Sequence, residues 1–214
     1  MTTRRHLLTG LGAAALAGLG LPALRGVGRG PEQDRRGSVN AGPLPNVRLY
    51  THHGQEVRFY DDLVRGKVVA INLMYADCDG ICPTATSNLL RVQEMLGERA
   101  GRDVFLYSIT LQPEHDSIDH LRHYAAMHGV KDGWLFLTGA PMDIRHLRYR
   151  LGFYDPDPLL DGDKATHTGM VRIGDDRYDR WTMAPSLGGP DPILTTINHV
   201  DRAIVHTGTV SPHA

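Results

Sequence analysis

The chain has 214 residues, 41% of them hydrophobic, with 23 Lys+Arg against 24 Asp+Glu and a pI near 6.9. That length supports one domain with its own core. Near-balanced charge without a basic block argues against nucleic acid, or any other polyanion, as a partner.

The first stretch, MTTRRHLLTGLGAAALAGLGLPALRG, sets Arg4 and Arg5 ahead of an acid-free apolar run from Leu7 to Leu24. This is the layout of an export signal of the twin-arginine type, assigned to residues 1–25. The run is rich in Gly and Ala and sits at the short edge of what spans a bilayer, so an uncleaved anchor is the competing reading. Membrane contact is expected only through that segment. Export places the protein in the periplasm, where neighbouring thiols can oxidise to a disulfide. Residues 26–45 carry Gly, Pro and charge without an apolar period and read as a disordered linker. The folded domain is expected over 46–214.

VRLYTHHGQEVRFY, two short alternating runs around HHGQ, predicts an N-terminal β-hairpin. KVVAINLMY (67–75) is almost continuously apolar, the mark of a strand buried on both faces. After the cysteine segment, Leu89, Leu90, Val92, Met95 and Leu96 fall at helical spacing and Gly97 follows. DVFLYSIT (103–110) is a second buried strand. DSIDHLRHYAAMHG is a helix with Asp116 as its N-cap, stopping at Gly129. WLFLT (134–138) is a short strand, and PMDIRHLRYRLG a helix from Pro141 to Gly152. HTGMVRI and RYDRW read as two last strands joined at GDD, before a tail with turn signals and a short helix. Strands alternating with helices predict an α/β fold with a central mixed sheet covered by helices on both faces.

Both cysteines of the chain lie in MYADCDGICPTATSNLL, as Cys78 and Cys82. Cys78 closely follows the first buried strand, and Cys82 stands where the next helix begins. Open α/β sheets place their sites at this carboxyl edge. The helix N-terminus favours thiolate over thiol, and Pro83 suits a first turn because the N–H it lacks would have no partner there. On this reading Cys82 gains most from the helix, and Cys78 is the more exposed sulfur. Four-residue spacing brings the two onto one side, ~5–6 Å apart at Cβ. Three uses remain open. A structural disulfide would close a loop too small to stabilise much. A redox dithiol fits the location, although redox motifs have two residues between their cysteines rather than three. A soft-metal site fits equally well, with copper the ion suited to two thiolates in this compartment, but it needs a third ligand.

Twelve histidines are available. His52 and His53 sit in the hairpin turn; His120, His123 and His128 stud one helix and read as solvated; His115 and His146 lie on helix surfaces. His167 differs, because it precedes a strand that could deliver it to the cysteine edge. Met170 reads as core, with a soft auxiliary ligand as the alternative.

RGKVVAINLMYADCDGICPTATSNL resembles the core of the SCO/SenC family, whose signature is a G-K-strand-C-x-x-x-C-P segment. The similarity runs from about Val47 to about Trp181. It implies a thioredoxin-like fold and copper, as Cu(I) or Cu(II), bound by Cys78, Cys82 and His167. It also implies delivery of that copper to a respiratory enzyme such as cytochrome oxidase, or to another copper protein. Two positions depart from the family pattern: Gln112 stands before Pro113 where an Asp is usual, and Thr166 precedes His167 where an Asp is usual. Two other functions stay open: a thiol–disulfide reductase using Cys78 and Cys82 as a catalytic redox pair without His167, and a copper or redox sensor.

Overall fold

The computed structural model describes residues 44–78, 80–163 and 169–201. The expected export segment, nearly all of the expected linker and the two residues Thr166 and His167 lie outside them. Seven strands form one mixed sheet: β1 Arg48–Thr51, β2 Glu56–Arg58, β3 Val68–Met74, β4 Val104–Thr110, β5 Trp134–Gly139, β6 Met170–Asp175 and β7 Arg180–Pro185. Their order is β2-β1-β5-β4-β3-β6-β7. β3, β4 and β5 are parallel neighbours, while β1 joins β5, and β6 joins β3, antiparallel. Helix α1 (Cys82–Leu96) links β3 to β4, and α2 (Ile118–Met127) links β4 to β5, as two βαβ units. Helices α3 (Pro141–Arg150), α4 (Pro158–Gly162) and α5 (Pro190–Val200) complete the described fold. This is the expected thioredoxin-like arrangement, with its N-terminal hairpin β1–β2.

All seven residues of β3 are buried, because the sheet is covered on both sides there. Val68, Ala70 and Met74 face a core completed by Leu89 and Val92 of α1, Leu121 of α2 and Ile193 of α5. Val69, Ile71 and Leu73 face the other core, with Ile144 and Leu147 of α3. The continuous apolar run in the sequence is therefore two interleaved alternations, one for each core.

Two elements differ from expectation. Phe59 and Tyr60 do not extend the hairpin: Phe59–Val64 forms a π-helical turn that buries Phe59, Leu63 and Val64 against the second core. The last strand begins at Arg180 rather than Arg177. A short 3₁₀ turn over Asp176–Tyr178 and left-handed Asp179, at φ 49°, reverse the chain first.

His52 is in the turn after β1, as expected, but it points inward and is 5% exposed. Its Nδ1 accepts the Phe136 N–H at 3.1 Å, and its carbonyl accepts Arg122 Nε at 3.0 Å. Burial, and then the neighbouring His53, hold its pKa down to about 4. The unfolded chain binds this proton near pH 6.5, so between about 6.5 and 4 the unfolded state holds more protons and stability falls with pH. The difference is on the order of 3 kcal/mol. Urea titrations are expected to show a lower midpoint at about pH 4.5 than at about pH 7, with a smaller gap in His52→Asn. Equal gaps in the two proteins would contradict this account.

Candidate metal centre

β3 and β4 run in parallel and end at the same edge, where the Leu111 N–H bonds the Met74 carbonyl at 2.8 Å. The chain leaves β3 through Tyr75 and turns past Cys78. It enters α1 at Cys82, with Pro83 in the first turn, where a missing N–H leaves no gap in the ladder. Ala85 makes the first helical bond, its N–H donating to Ile81 O at 3.0 Å. Both cysteines are free thiols, 7% exposed at Cys78 and 1% at Cys82. Cys78 is the more exposed of the two, as expected, but both are walled by the first core.

Burial by itself pushes the Cys78 thiol up. Hydrogen bonds from the Cys82 and Tyr75 side chains and from the Cys82 and Gly80 backbone outweigh it, and the pKa falls below the ordinary thiol value. The donors converge on Cys78, so the thiolate of the pair is held there rather than left to the helix terminus alone. A side chain at Gly80 would begin 3.8 Å from the Cys78 sulfur.

Beneath the loop lies Asp116, 1% exposed. Its carboxylate accepts the Ala76 N–H at 3.1 Å and the Thr110 hydroxyl, tying the cysteine loop to the end of β4. Asp116 is therefore not the N-cap of α2. Ser117 is, its Oγ accepting the His120 N–H at 3.2 Å. His120, expected on a solvated helix face, instead bridges two acids: Nδ1 is 3.4 Å from Asp116 and Nε2 is 3.3 Å from Asp77, next to Cys78. Behind the cysteines, the Thr86 and Tyr124 hydroxyls are 2.9 Å apart and join α1 to α2. Burial raises the Tyr124 pKa, with smaller contributions from Cys82 and Cys78. Gln112 contributes its backbone: its carbonyl accepts the N–H groups of His115 and Asp116. His115, His123 and His146 are exposed, as expected.

β6 begins at this same edge, since Val171 pairs with Asn72 near the end of β3. The Ser186 N–H holds Gly169 O at 2.9 Å, and Asn88 of α1 donates to Ser186 O at 2.8 Å. A side chain at Gly169 would begin 3.8 Å from Ile81, between the two cysteines in sequence. The chain thus enters β6 against the cysteine loop, two residues after His167, which is itself outside the described residues. Met170 packs against the opposite core, in keeping with its reading as core. Among the described residues, no three His, Cys, Asp or Glu side chains form a metal-holding group, and no helix is long and apolar enough to cross a membrane. The signals for Asp116 and His120 were present only as polar residues four apart; nothing local in the sequence aims them at a loop 40 residues upstream.

Residues 45–200 match the family model described as SCO1/SenC. The SCO1 protein homolog of Bacillus subtilis is 31% identical over 77 residues, covering 36% of this chain and 39% of that protein. A Stutzerimonas stutzeri protein named for copper binding is 24% identical over 132 residues, 61% of this chain and 63% of its own length. The chain thus matches less than two thirds of either relative. Yeast Sco1, solved with copper bound, superposes with a TM-score of 0.57 at 21% identity, over 79% of this chain and 90% of its own, a likeness of fold.

Proposed function

Because the chain belongs to the SCO1/SenC family, we propose that it is an exported metallochaperone that binds one copper ion through Cys78, Cys82 and His167. It hands that copper to a respiratory enzyme of the cytochrome oxidase kind. The observation that carries this reading is the pair of free, core-walled thiols at the start of α1, one with its pKa lowered by four hydrogen bonds. Soft, deprotonated sulfur selects Cu(I) over harder ions, and a small donor set leaves room for a partner's ligands to take the cargo. The entry of β6 beside Ile81 supports His167 as the third donor. So does the S. stutzeri relative, which is named for copper binding. Oxidation of Cys78 and Cys82 to a disulfide would release two protons and two electrons to an oxidised partner and remove both sulfur donors. Copper binding would then follow redox state. The protein works in the periplasm, free or held at the membrane by residues 1–25.

The test is His167→Ala. The variant is expected to lose copper to a competing chelator at least tenfold more readily than the parent, while its dithiol reacts at the parent rate. Unchanged copper retention would remove His167 from the site.

A second reading, a thiol–disulfide reductase that keeps a partner's cysteines reduced, is favoured by one observation: Cys82 hydrogen-bonds Cys78, as a resolving thiol would. It needs no His167. A dithiol that reduces a partner disulfide but retains no copper would select it.

A further inference from the structure

β6 alternates, with Val171 and Ile173 in the core shared with the cysteines and Arg172 on the other face of the sheet. Arg172 is 8% exposed, and among the described residues its Nε is the one buried side-chain nitrogen or oxygen without a hydrogen-bond partner. Two half-buried arginines of this chain are matched to acids: Arg148 with Asp161 at 2.7 Å, and Arg99 with Asp201 at 3.5 Å. Arg172 has instead the ring of Trp181, with its guanidinium carbon 5.6 Å from the centroid. That ring lies flat on the sheet over Gly174, where any side chain would begin 2.1 Å from it. Met183, paired with Arg172 across the strands, and Met170 are half-buried beside them. The reverse face of β6 and β7 is covered by α5, whose Ile193 and Ile197 pack with Ile173 and Ala184. β7 is also the edge of the sheet.

A cation withdrawn from water without a counter-charge is destabilising, and one aromatic face offsets only part of that. The arrangement makes sense if the missing acceptor arrives from outside. We propose that the face of β6 and β7 around Arg172 and Trp181 is a docking surface for an acidic segment of a protein partner. A carboxylate of that segment supplies the counter-charge Arg172 lacks. Charge complementarity selects this occupant: a guanidinium fork matches a carboxylate, and the Trp and Met side chains beside it are residue types enriched at protein interfaces. The surface lies on the opposite face from the cysteines, so docking leaves the thiol loop free. The inference goes beyond the copper reading and stands without it.

Two measurements on the full chain test it. First, Arg172→Met removes the unpaired charge while keeping the aliphatic stem, so its Tm is expected to rise; a fall would mean that Arg172 serves the free fold and would overturn the proposal. Second, the Trp181 indole N–H is followed by NMR while hexaglutamate, hexaglutamine or acetate is added to millimolar concentration. Hexaglutamate is expected to give a saturable shift that hexaglutamine does not, lost in Arg172→Met and weakened in Trp181→Phe at the Arg172 Nε–H. No response to hexaglutamate would overturn the proposal. An equal response to acetate at matched carboxylate concentration would also overturn it, by reducing the site to one for simple anions.

Discussion

Cys82→Ser is expected to abolish copper retention and to end the redox chemistry of the pair, and Cys78→Ser to do the same. A serine hydroxyl stays protonated at neutral pH and is a hard donor, so either substitution leaves one sulfur where two are needed. The effect on folding should be small by comparison. Cys82 is 1% exposed and packs among Leu89, Leu121 and Tyr124, so a buried hydroxyl in place of the thiol costs about 1–2 kcal/mol. Copper per chain after desalting against a competing chelator, with circular dichroism as the control for folding, reads the two effects separately. A folded serine variant that keeps copper at the parental level would refute the thiolate site.

The largest effect on stability is expected at Asp116. Replacing it with alanine leaves the Ala76 N–H and the Thr110 hydroxyl without their acceptor and removes the acid that faces His120. One buried and one half-buried donor without partners, the second in the backbone that positions Cys78, amount to a loss of about 3 kcal/mol. Asp116→Asn keeps the shape and one acceptor oxygen and should lose less. Urea denaturation measures both, and the reaction rate of Cys78 with a disulfide probe reports whether the loop has moved. A cost of less than about 0.5 kcal/mol for Asp116→Ala would mean that the loop is held by its own contacts.

The difference between these two sites shows what could be read from sequence. The cysteines were legible because their placement is local: an apolar strand, a short loop, then Pro83 and a helical period. Each step follows from patterns a few residues long. The sheet was legible for the same reason, since seven buried residues in β3 require cover on both faces. Asp before a helix is a sound local signal for a cap, and at Asp116 it misleads. Ser117, one residue on, takes that role, and this frees the carboxylate for partners at Ala76 and Thr110. In sequence, His120 reads as a solvated helix residue and His52 only as part of a hairpin turn. Their partners, Asp77 for one and Phe136 for the other, are far away in sequence and near only in the fold. RYDRW reads as a strand throughout, but left-handed Asp179 marks the reversal and the ladder starts after it. Arg172 gave no signal at all. An arginine in a strand reads as solvent-facing, and only the fold reveals that it is buried without an acid.

Copper stoichiometry, measured anaerobically on the purified chain in its reduced and its oxidised forms, tests the central claim most directly. After Cu(I) loading and desalting against a competing chelator, the reduced protein is predicted to hold one copper per chain and the disulfide form none. A folded, fully reduced protein that retains no copper would contradict the metallochaperone reading and leave Cys78 and Cys82 as the working pair of a reductase.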